Sequence, residues 1–220
     1  MSTETVPQEA IDTALRSFRS LHYVRHNMRR LEHLASLGLP NSGLTVLEPG
    51  AGIGDHTCYY SDRGCSTTSI EPRPENAAIY SRELSAERYP CSKNVELILT
   101  DYTVMETISR SFDIVHAYGF LYHVADPARA IAAMAKCTRR FLALETCVSF
   151  GSDAAIHLVE EAQWEPTQSA EGKGCRPTRP WIMAELQKHF EHVYVTRTQP
   201  AHEEFPTDWA VDDKTAPAKR

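Results

Sequence analysis

The chain has 220 residues, of which 42% are hydrophobic and 24% are charged, and its formal net charge is −6 at pH 7. This composition is ordinary for a globular protein with one sizeable core, whereas the acidic balance argues against general nucleic-acid binding, which relies on excess Lys and Arg. No apolar run approaches the ~20 residues that span a bilayer, and the N-terminus lacks the apolar stretch of a secretory signal. We therefore expect a cytoplasmic protein whose six cysteines are reduced thiols.

The first part of the chain predicts helices. Residues 8–38 have a helical pattern with a break near Ser20, and Gly38 followed by Pro40 ends it. The short apolar run 44–47 then predicts a buried strand that leads into a glycine-rich turn.

Strands and helices alternate through the middle of the chain. We expect further strands at 66–70, 95–99, 112–117 and 141–144, and helices at 55–63, at 74–88 and from Asp126-Pro127 onward. This alternation predicts crossover units and a doubly wound, mostly parallel α/β sheet. Residues 151–180 are less regular, and they precede an expected helix at 180–190 and an expected strand at 192–198.

The most informative stretch is the turn after the first strand, Glu48-Pro49-Gly50-Ala51-Gly52-Ile53-Gly54. Glycines at alternate positions let the backbone turn tightly and approach a ligand without Cβ clashes. Glu71 ends the next strand, so we expect it at the same edge of the sheet. An acid there can accept hydrogen bonds from both ribose hydroxyls of a nucleoside.

The acids near this turn discriminate between nucleoside cofactors. A dinucleotide site wants Gly-x-Gly-x-x-Gly and a helix N-terminus that receives pyrophosphate, but here Asp55 stands where that pattern wants glycine. Glu48 and Asp55 would repel a pyrophosphate and suit an ammonium group and a sulfonium. The pattern therefore favours S-adenosylmethionine over NAD.

The same residues resemble a known family. Glu48-x-Gly50-x-Gly52-x-Gly54 resembles the first motif of class I S-adenosylmethionine-dependent methyltransferases, and the resemblance continues in order from residue 44 to about residue 146. It implies a Rossmann-like sheet with an N-terminal helical cap that binds S-adenosylmethionine and releases S-adenosylhomocysteine. The residues that it assigns to the cofactor are Glu48, Gly50, Ala51, Gly52, Gly54, Glu71, Asp101, Tyr102, Tyr118 and Gly119.

The resemblance also implies individual roles. Glu71 matches the ribose-binding acid, and Asp101 matches an acid that meets the adenine amino group beside a side chain, here Tyr102, that packs on the base. Tyr118-Gly119 begins the segment that lines the methyl group and the substrate.

Two residues are candidates for the chemistry of transfer. His123 falls just beyond the fourth strand and can titrate near neutrality, so it is a candidate general base, although it could equally cap or pack against the next helix. Glu145 ends the fifth strand and either orients a substrate hydroxyl or amine or serves a structural role.

Two groups of cations and aromatic residues are candidate walls of the substrate pocket, or else ordinary solvated surface. They are Arg25, His26, Arg29 and Arg30 in the cap, and Lys173, Arg176, Arg179, Trp164 and Trp181 in the irregular insertion. Segment 202–209 is either a pocket lid or a surface tail. His22 and His26 lie one helical turn apart, but no third ligand is evident, so we expect no metal site.

We expect one domain over residues 1–220, with the cap at 1–40, the cofactor-binding half at 44–150 and a substrate-side insertion with a C-terminal helix and strand at 151–220. Methyltransferases of this class end with an antiparallel pair of strands, and no apolar run follows Trp209. We hypothesise that the seventh strand is missing, as in a fragment, which would leave an exposed edge through which the chain could dimerise.

The function that the sequence favours is methyl transfer to an oxygen or nitrogen atom of a small molecule. The alternatives are an RNA- or nucleoside-modifying methyltransferase, disfavoured by the net charge, and a non-catalytic S-adenosylmethionine-binding module. An NAD-dependent oxidoreductase is a further alternative, which the glycine spacing disfavours. The acceptor itself cannot be identified from sequence, because one scaffold serves many acceptors.

Overall fold

A computed structural model describes residues 6–85 and 93–205. The helices are α1 (Gln8–Phe18), α2 (Leu21–Ser36), α3 (Asp55–Ser61), α4 (Pro74–Glu83), α5 (Pro127–Cys137) and α6 (Arg179–Gln187). The strands are β1 (Thr45–Pro49), β2 (Ser66–Glu71), β3 (Val95–Leu99), β4 (Phe112–Tyr118), β5 (Thr138–Glu145), β6 (Ile156–Glu160) and β7 (Lys173–Pro177). Short 3₁₀ helices follow β3 at Tyr102–Glu106 and β4 at Leu121–His123.

Strands β1 to β5 form one parallel sheet in the order β3-β2-β1-β4-β5. The chain first moves outward from β1 to β3 and then crosses to the other side of β1, so the order reverses between β1 and β4. In open α/β sheets a ligand crevice lies outside the carboxyl ends of the strands at such a reversal. The α/β class and the parallel sheet expected from the sequence are confirmed.

Consecutive residues of the two central strands face opposite sides of the sheet. Val46 and Ile114 are fully buried in a cluster with Tyr60 of α3. Leu47 and Val115 are fully buried in the larger cluster on the other face, to which α5 contributes its apolar side. Burial of β1 and β4 on both faces holds their carboxyl ends, and the turns that follow, in fixed positions.

Local signals explain where the helices begin. The Ser20 side chain accepts a hydrogen bond from Tyr23 N–H and starts α2, which separates it from α1 where the sequence predicted a break. Asp126 caps α5 in the same way, with Pro127 in the first turn. Helix α4 ends at Glu83, earlier than the sequence indicated.

Two expectations about the C-terminal part are wrong. Residues 156–177, expected to be irregular, contain β6 and β7, which pair as an antiparallel hairpin outside the main sheet. The strand expected at 192–198 does not form, and Tyr194 and Val195 are exposed. An apolar run becomes a strand only when a partner edge accepts its hydrogen bonds, and none does so here.

Within the described residues the main sheet ends at β5, with neither a sixth nor a seventh strand beside it. None of the helices in this part of the chain is both long and apolar enough to cross a membrane. None of the five cysteines that lie in it forms a disulfide with another of them.

Candidate functional site

A cavity of about 270 Å³ opens at the carboxyl ends of β1, β2 and β4. Helices α1 and α2 cover one side of it, and the segment 166–171 covers another. Nine of the ten residues that the sequence assigned to the cofactor line it: Glu48, Gly50, Ala51, Gly52, Glu71, Asp101, Tyr102, Tyr118 and Gly119. The fold therefore gathers residues that are distant in the chain around one concave site.

The glycines after β1 allow close packing at the cavity wall. Gly50 and Gly52 have φ values of +69° and +57°, and a Cβ on either would lie 3.0 Å from a ring carbon of Phe120 or Phe18, respectively. Gly54 does not line the cavity, which corrects its expected role. It has a φ of +89° and packs against Tyr80 and Leu84 as the N-cap of α3.

The Glu71 carboxylate lies buried against the glycine turn. Its Oε2 accepts a hydrogen bond from Gly52 N–H at 2.8 Å, and its Oε1 accepts from Arg73 N–H at 3.0 Å and from Asn76 Nδ2 at 3.2 Å. Burial raises the pKa of Glu71 to about 7, although these donors act in the opposite direction. Further donors from a ligand would therefore stabilise its ionised form.

Glu48 is a second buried acid at the end of β1. Its Oε2 accepts hydrogen bonds from Thr57 Oγ1 at 2.5 Å and Ser69 Oγ at 3.3 Å. Burial raises its pKa to about 7, against the effect of these two hydroxyls. A cationic group in the cavity would favour the carboxylate.

A polar and aromatic pair follows β3. The Asp101 side chain accepts a hydrogen bond from Thr103 N–H at 2.9 Å, which fixes it at the start of the 3₁₀ helix. The Tyr102 ring contacts Phe120 edge to face, with the ring centroids 5.7 Å apart. An acid and two aromatic rings at one end of the cavity suit a flat heterocycle with an amino group.

Arg30 of α2 lies at the carboxyl ends of the neighbouring strands β4 and β5. Its guanidinium donates to Glu145 and, at 3.2 Å, to Asn27 Oδ1, and it lies over the Tyr118 ring. A Cβ on Gly119 would be 2.6 Å from Arg30 Nη2, so glycine leaves room for this cation. Glu145 does not line the cavity, in contrast to its expected contact with substrate; it holds Arg30, which does.

His123 lines the cavity and is paired with a buried acid. Its Nδ1 lies 2.5 Å from Oε2 of Glu161, whose side chain is 2% exposed. Glu161 also accepts hydrogen bonds from Ser169 N–H and from Arg176. Burial raises the pKa of Glu161, but the hydrogen bond and charge of His123 outweigh it, so this pKa lies below its usual range. An ionised Glu161 stabilises a proton on the imidazole.

A buried chain of hydrogen bonds ends at the cavity. The Tyr60 hydroxyl lies 3.0 Å from His116 Nδ1, and His116 Nε2 lies 3.0 Å from His56 Nδ1. Burial lowers the pKa of both histidines, that of His116 to about 3, so both rings are neutral at pH 7. Among the described residues His116 is the one hydrogen-bond partner of the Tyr60 hydroxyl, so we assign the tyrosine as donor to it; His116 Nε2–H then donates to His56.

That assignment places a proton on His56 Nε2. This atom is buried and has no hydrogen-bond partner in the part of the chain that the structure describes, and the ring lines the cavity. A buried N–H group without an acceptor is costly, so a ligand oxygen would be favoured there. The sequence analysis missed His56, although its place in the first turn of α3, directly after the glycine turn, is a usable signal.

Two side chains after β2 fasten the segment 163–171 over the cavity. Arg73 donates to the carbonyl oxygens of Gln163, Gln168 and Ser169, and Asn76 donates to that of Pro166 at 3.1 Å. No local sequence pattern indicates these contacts, because they join residues about ninety positions apart.

Only some of the residues expected to form the substrate pocket line the cavity. His26 and Arg30 line the cavity, whereas Arg25 pairs with Glu203 and Arg29 pairs with Glu32 at the surface. None of the residues expected from the insertion lines it: Lys173, Arg176, Arg179, Trp164 and Trp181. Trp164 is 79% exposed, and Trp181 packs against the core beneath α5.

Segment 202–209 lies partly in the described residues. His202–Phe205 returns to α2, where Phe205 is buried and stacks on His26 at a centroid distance of 5.0 Å. Glu204 lines the cavity. This part of the segment therefore covers the site, and residues 206–209 lie outside the described ranges.

Comparisons with known proteins agree with this geometry. Residues 47–140 match the family model of a methyltransferase domain. A comparison with curated proteins gave no match.

Solved structures with similar folds share little sequence with this chain. The N-terminal domain of EvdMO1, crystallised in the presence of SAH and D-fucose, is 20% identical with a TM-score of 0.61, over 86% of this chain and 89% of that one. The glycopeptide N-methyltransferase MtfA, complexed with S-adenosylmethionine, is 16% identical with a TM-score of 0.52, over 73% and 81% of the two chains. The [4+2]-cyclase SpnF is 18% identical with a TM-score of 0.51, over 73% and 56%.

These structural likenesses show a shared fold, and the cyclase shows that the fold also serves another chemistry. The domain match covers the glycine turn, the acid after β2 and the strands that position both. Residues 47–140 therefore match a methyltransferase domain, and the chain has the fold of class I S-adenosylmethionine-dependent methyltransferases.

Proposed function

We propose that this protein is a cytoplasmic enzyme that transfers the methyl group of S-adenosylmethionine to an oxygen or nitrogen atom of a small molecule. The observation that carries the proposal is the position of Glu71. Its buried carboxylate faces the cavity at the end of β2, against a glycine turn that leaves room for a ligand. This is where a nucleoside places its two ribose hydroxyls in sheets of this kind.

The residues around Glu71 fit the rest of the nucleoside. Asp101 would accept hydrogen bonds from the adenine amino group, and Tyr102 and Phe120 would enclose the base. The ammonium and sulfonium charges of the cofactor would lie near Glu48, whose buried carboxylate accepts from the neutral hydroxyls of Thr57 and Ser69. The donor set therefore matches a cation-bearing nucleoside better than a dinucleotide.

His56 would bind the carboxylate of the cofactor's amino acid. Its Nε2–H is a fixed donor, because the chain through His116 and Tyr60 holds the ring in one tautomer. Arg30 lies nearby on the same side of the cavity and adds positive charge. A neutral donor beside a guanidinium favours an anionic oxygen.

Bound S-adenosylmethionine supplies an electrophilic methyl group on a positively charged sulfur. The protein's contribution is then to hold the acceptor in line with that methyl group in a site that excludes water. The covering helices and the segment 166–171 provide the exclusion.

His123 would accept the proton that the acceptor loses, with ionised Glu161 stabilising the imidazolium. General-base assistance of this kind contributes about 10²–10⁴-fold in rate. Glu145 would act indirectly by holding Arg30 in place.

A small acceptor is supported by the enclosure of the site and by the net charge of −6. One structural neighbour was crystallised with D-fucose, and another is named as a glycopeptide N-methyltransferase. Sugar hydroxyls and amines are therefore the first acceptor class to screen.

Calorimetric titration tests the cofactor site. S-adenosylhomocysteine should bind the wild type, and Glu71→Ala should weaken its binding at least tenfold, as expected for loss of a charged hydrogen-bond acceptor. His56→Gln should weaken S-adenosylhomocysteine but leave 5′-methylthioadenosine, which lacks the amino-acid carboxylate, unchanged. Glu71→Ala should weaken both ligands.

Glu32→Gln, an exposed substitution on α2, is the control and should bind both ligands as the wild type does. Binding of NAD without S-adenosylhomocysteine would contradict the proposal. S-adenosylhomocysteine binding with no methyl transfer to any sugar, amine or tRNA acceptor would contradict the catalytic part and favour a binding module.

A further inference from the structure

His22 of α2, which has no ligand set in the local sequence, is joined in the structure by two residues from the C-terminal part of the chain. The chain returns over α2 at residues 201–205 and brings His202 and Glu203 to the exposed end of His22. One ligand atom from each of His22, His202 and Glu203 lies within 4.8 Å of the other two. Two imidazoles and a carboxylate are thus gathered from positions about 180 residues apart.

His202 is the most informative member of this cluster. Its side chain is fully buried, with ring centroids 5.3 Å from His22 and 5.1 Å from His26. Its Nδ1 accepts a long hydrogen bond of 3.3 Å from Glu204 N–H, and its Nε2 is buried with no hydrogen-bond partner within residues 6–85 and 93–205. The nearest acid, Glu203 Oε2, is 3.6 Å from Nε2, which is too far for a hydrogen bond. Burial of such a nitrogen is costly unless something binds it.

The charges around the cluster favour a cation. Glu203 and Glu204 contribute two carboxylates, against one guanidinium from Arg25, which lies 2.8 Å from Glu203 Oε2. That ion pair is exposed on both sides and therefore holds Glu203 only weakly. Glu204 Oε1 lies 2.7 Å from His22 Nε2; with Nδ1 of His22 as the ligand atom, this carboxylate would orient the ring as carboxylates do beside metal-bound histidines.

We propose that His22, His202 and Glu203 bind a divalent cation of the zinc class at the margin of the cavity. Two imidazole nitrogens and one carboxylate are a ligand set that Zn²⁺ and its neighbours Co²⁺ and Ni²⁺ accept, with positions left for water or substrate. Ligation through Nε2 of His202 moves the ring proton to Nδ1, which can then no longer accept the long hydrogen bond from Glu204 N–H, and protons compete with the ion for both imidazoles. Metal affinity therefore falls as the pH is lowered.

The experiment uses the full chain after dialysis against a chelator. Calorimetric titration with ZnCl₂ should show one equivalent bound, and Co²⁺ should give the visible absorption of a site with nitrogen and oxygen ligands. His22→Gln and Glu203→Gln change exposed side chains and should each weaken Zn²⁺ binding at least tenfold with the circular dichroism unchanged. His202→Ala should abolish the stoichiometric binding.

His192→Gln is the matched control, because His192 is an exposed histidine beside Glu191 outside the cluster, and it should leave binding unchanged. Equal Zn²⁺ affinity in the wild type, His22→Gln and Glu203→Gln would overturn the proposal. So would the absence of any stoichiometric binding, or a thiolate-to-cobalt charge-transfer band, which would assign the ion to cysteine. These readouts do not depend on methyl transfer, so the metal site and the proposed function can fail separately.

Discussion

The edge of the sheet and the segments that cover it hold their functional side chains in different ways. At the sheet edge the carboxylates bind nearby backbone: Glu71 accepts from Gly52 and Arg73 N–H groups, and Asp101 accepts from Thr103 N–H. In the covering segments, residues 8–36 and 146–205, charged side chains pair across long separations. Arg30 binds Glu145, and Glu161 binds His123. The positions of the side chains at the sheet edge therefore follow from the strands and turns that carry them. Those of the covering segments depend on tertiary contacts.

The largest effect is expected when the ion pair between Arg30 and Glu145, which joins the two regions, is broken. Arg30→Met leaves the Glu145 carboxylate buried without its partner, which should lower the free energy of unfolding by about 3–5 kcal/mol. The double variant Arg30→Met, Glu145→Met should recover part of this loss, because no charge is then left unpaired. Urea unfolding of the wild type and the two variants measures both effects. A double variant less stable than Arg30→Met would contradict this account.

This contrast explains how much could be predicted from sequence. The parallel sheet and the cavity positions of Glu71, Asp101 and Gly119 were predictable, because each follows a strand by a short turn. Gly54 was assigned to the ligand because its spacing matched, but left-handed turns and tight helix packing also require glycine.

The side-chain contacts of the covering segments were not predictable in the same way. Trp164 and Arg176 looked like pocket walls by composition, yet one is exposed and the other binds Glu161. The contacts of His202 with α2 and of Arg73 with segment 163–171 join residues that no local pattern relates. Side-chain pairing at such separations depends on the final packing of the chain.

The second prediction concerns packing at the sheet edge. Gly54→Ala would place a methyl group 2.7 Å from Leu84 and 2.8 Å from Tyr80 at a φ of +89°. We expect a loss of about 2–4 kcal/mol in the free energy of unfolding, from strain and overpacking together. Gly43→Ala is the control: it has a φ of +66° with open space around it, so it should cost about 1 kcal/mol. Equal losses measured by thermal unfolding would show that packing at Gly54 is unimportant.

The third prediction follows from the raised pKa of Glu71. A carboxyl group whose folded-state pKa is about 7 and whose unfolded-state value is near 4.5 destabilises the fold as the pH rises between these values. His56 and His116 have lowered pKa values and act in the opposite direction, so the effect must be measured as a difference. Without ligand, wild type should lose on the order of 2 kcal/mol relative to Glu71→Gln between pH 4.5 and 7. A difference that does not vary with pH would show that folding does not raise the pKa of Glu71.

The smallest effect on stability is expected for a substitution on the exposed surface of the covering segments. Trp164 is 79% exposed, so Trp164→Ala should change the free energy of unfolding by less than about 0.5 kcal/mol. It should also leave S-adenosylhomocysteine affinity unchanged, because the side chain does not line the cavity. A clear loss of affinity in calorimetry would mean that the cover closes further when the ligand binds.

The most direct test of the central claim is a crystal structure of the protein grown with S-adenosylhomocysteine. We predict that the ribose hydroxyls bind the Glu71 carboxylate, that the adenine lies between Asp101 and Phe120, and that the carboxylate of the ligand's amino acid accepts from His56 Nε2–H. Density for the ligand outside this cavity, or a ribose that does not contact Glu71, would contradict the account.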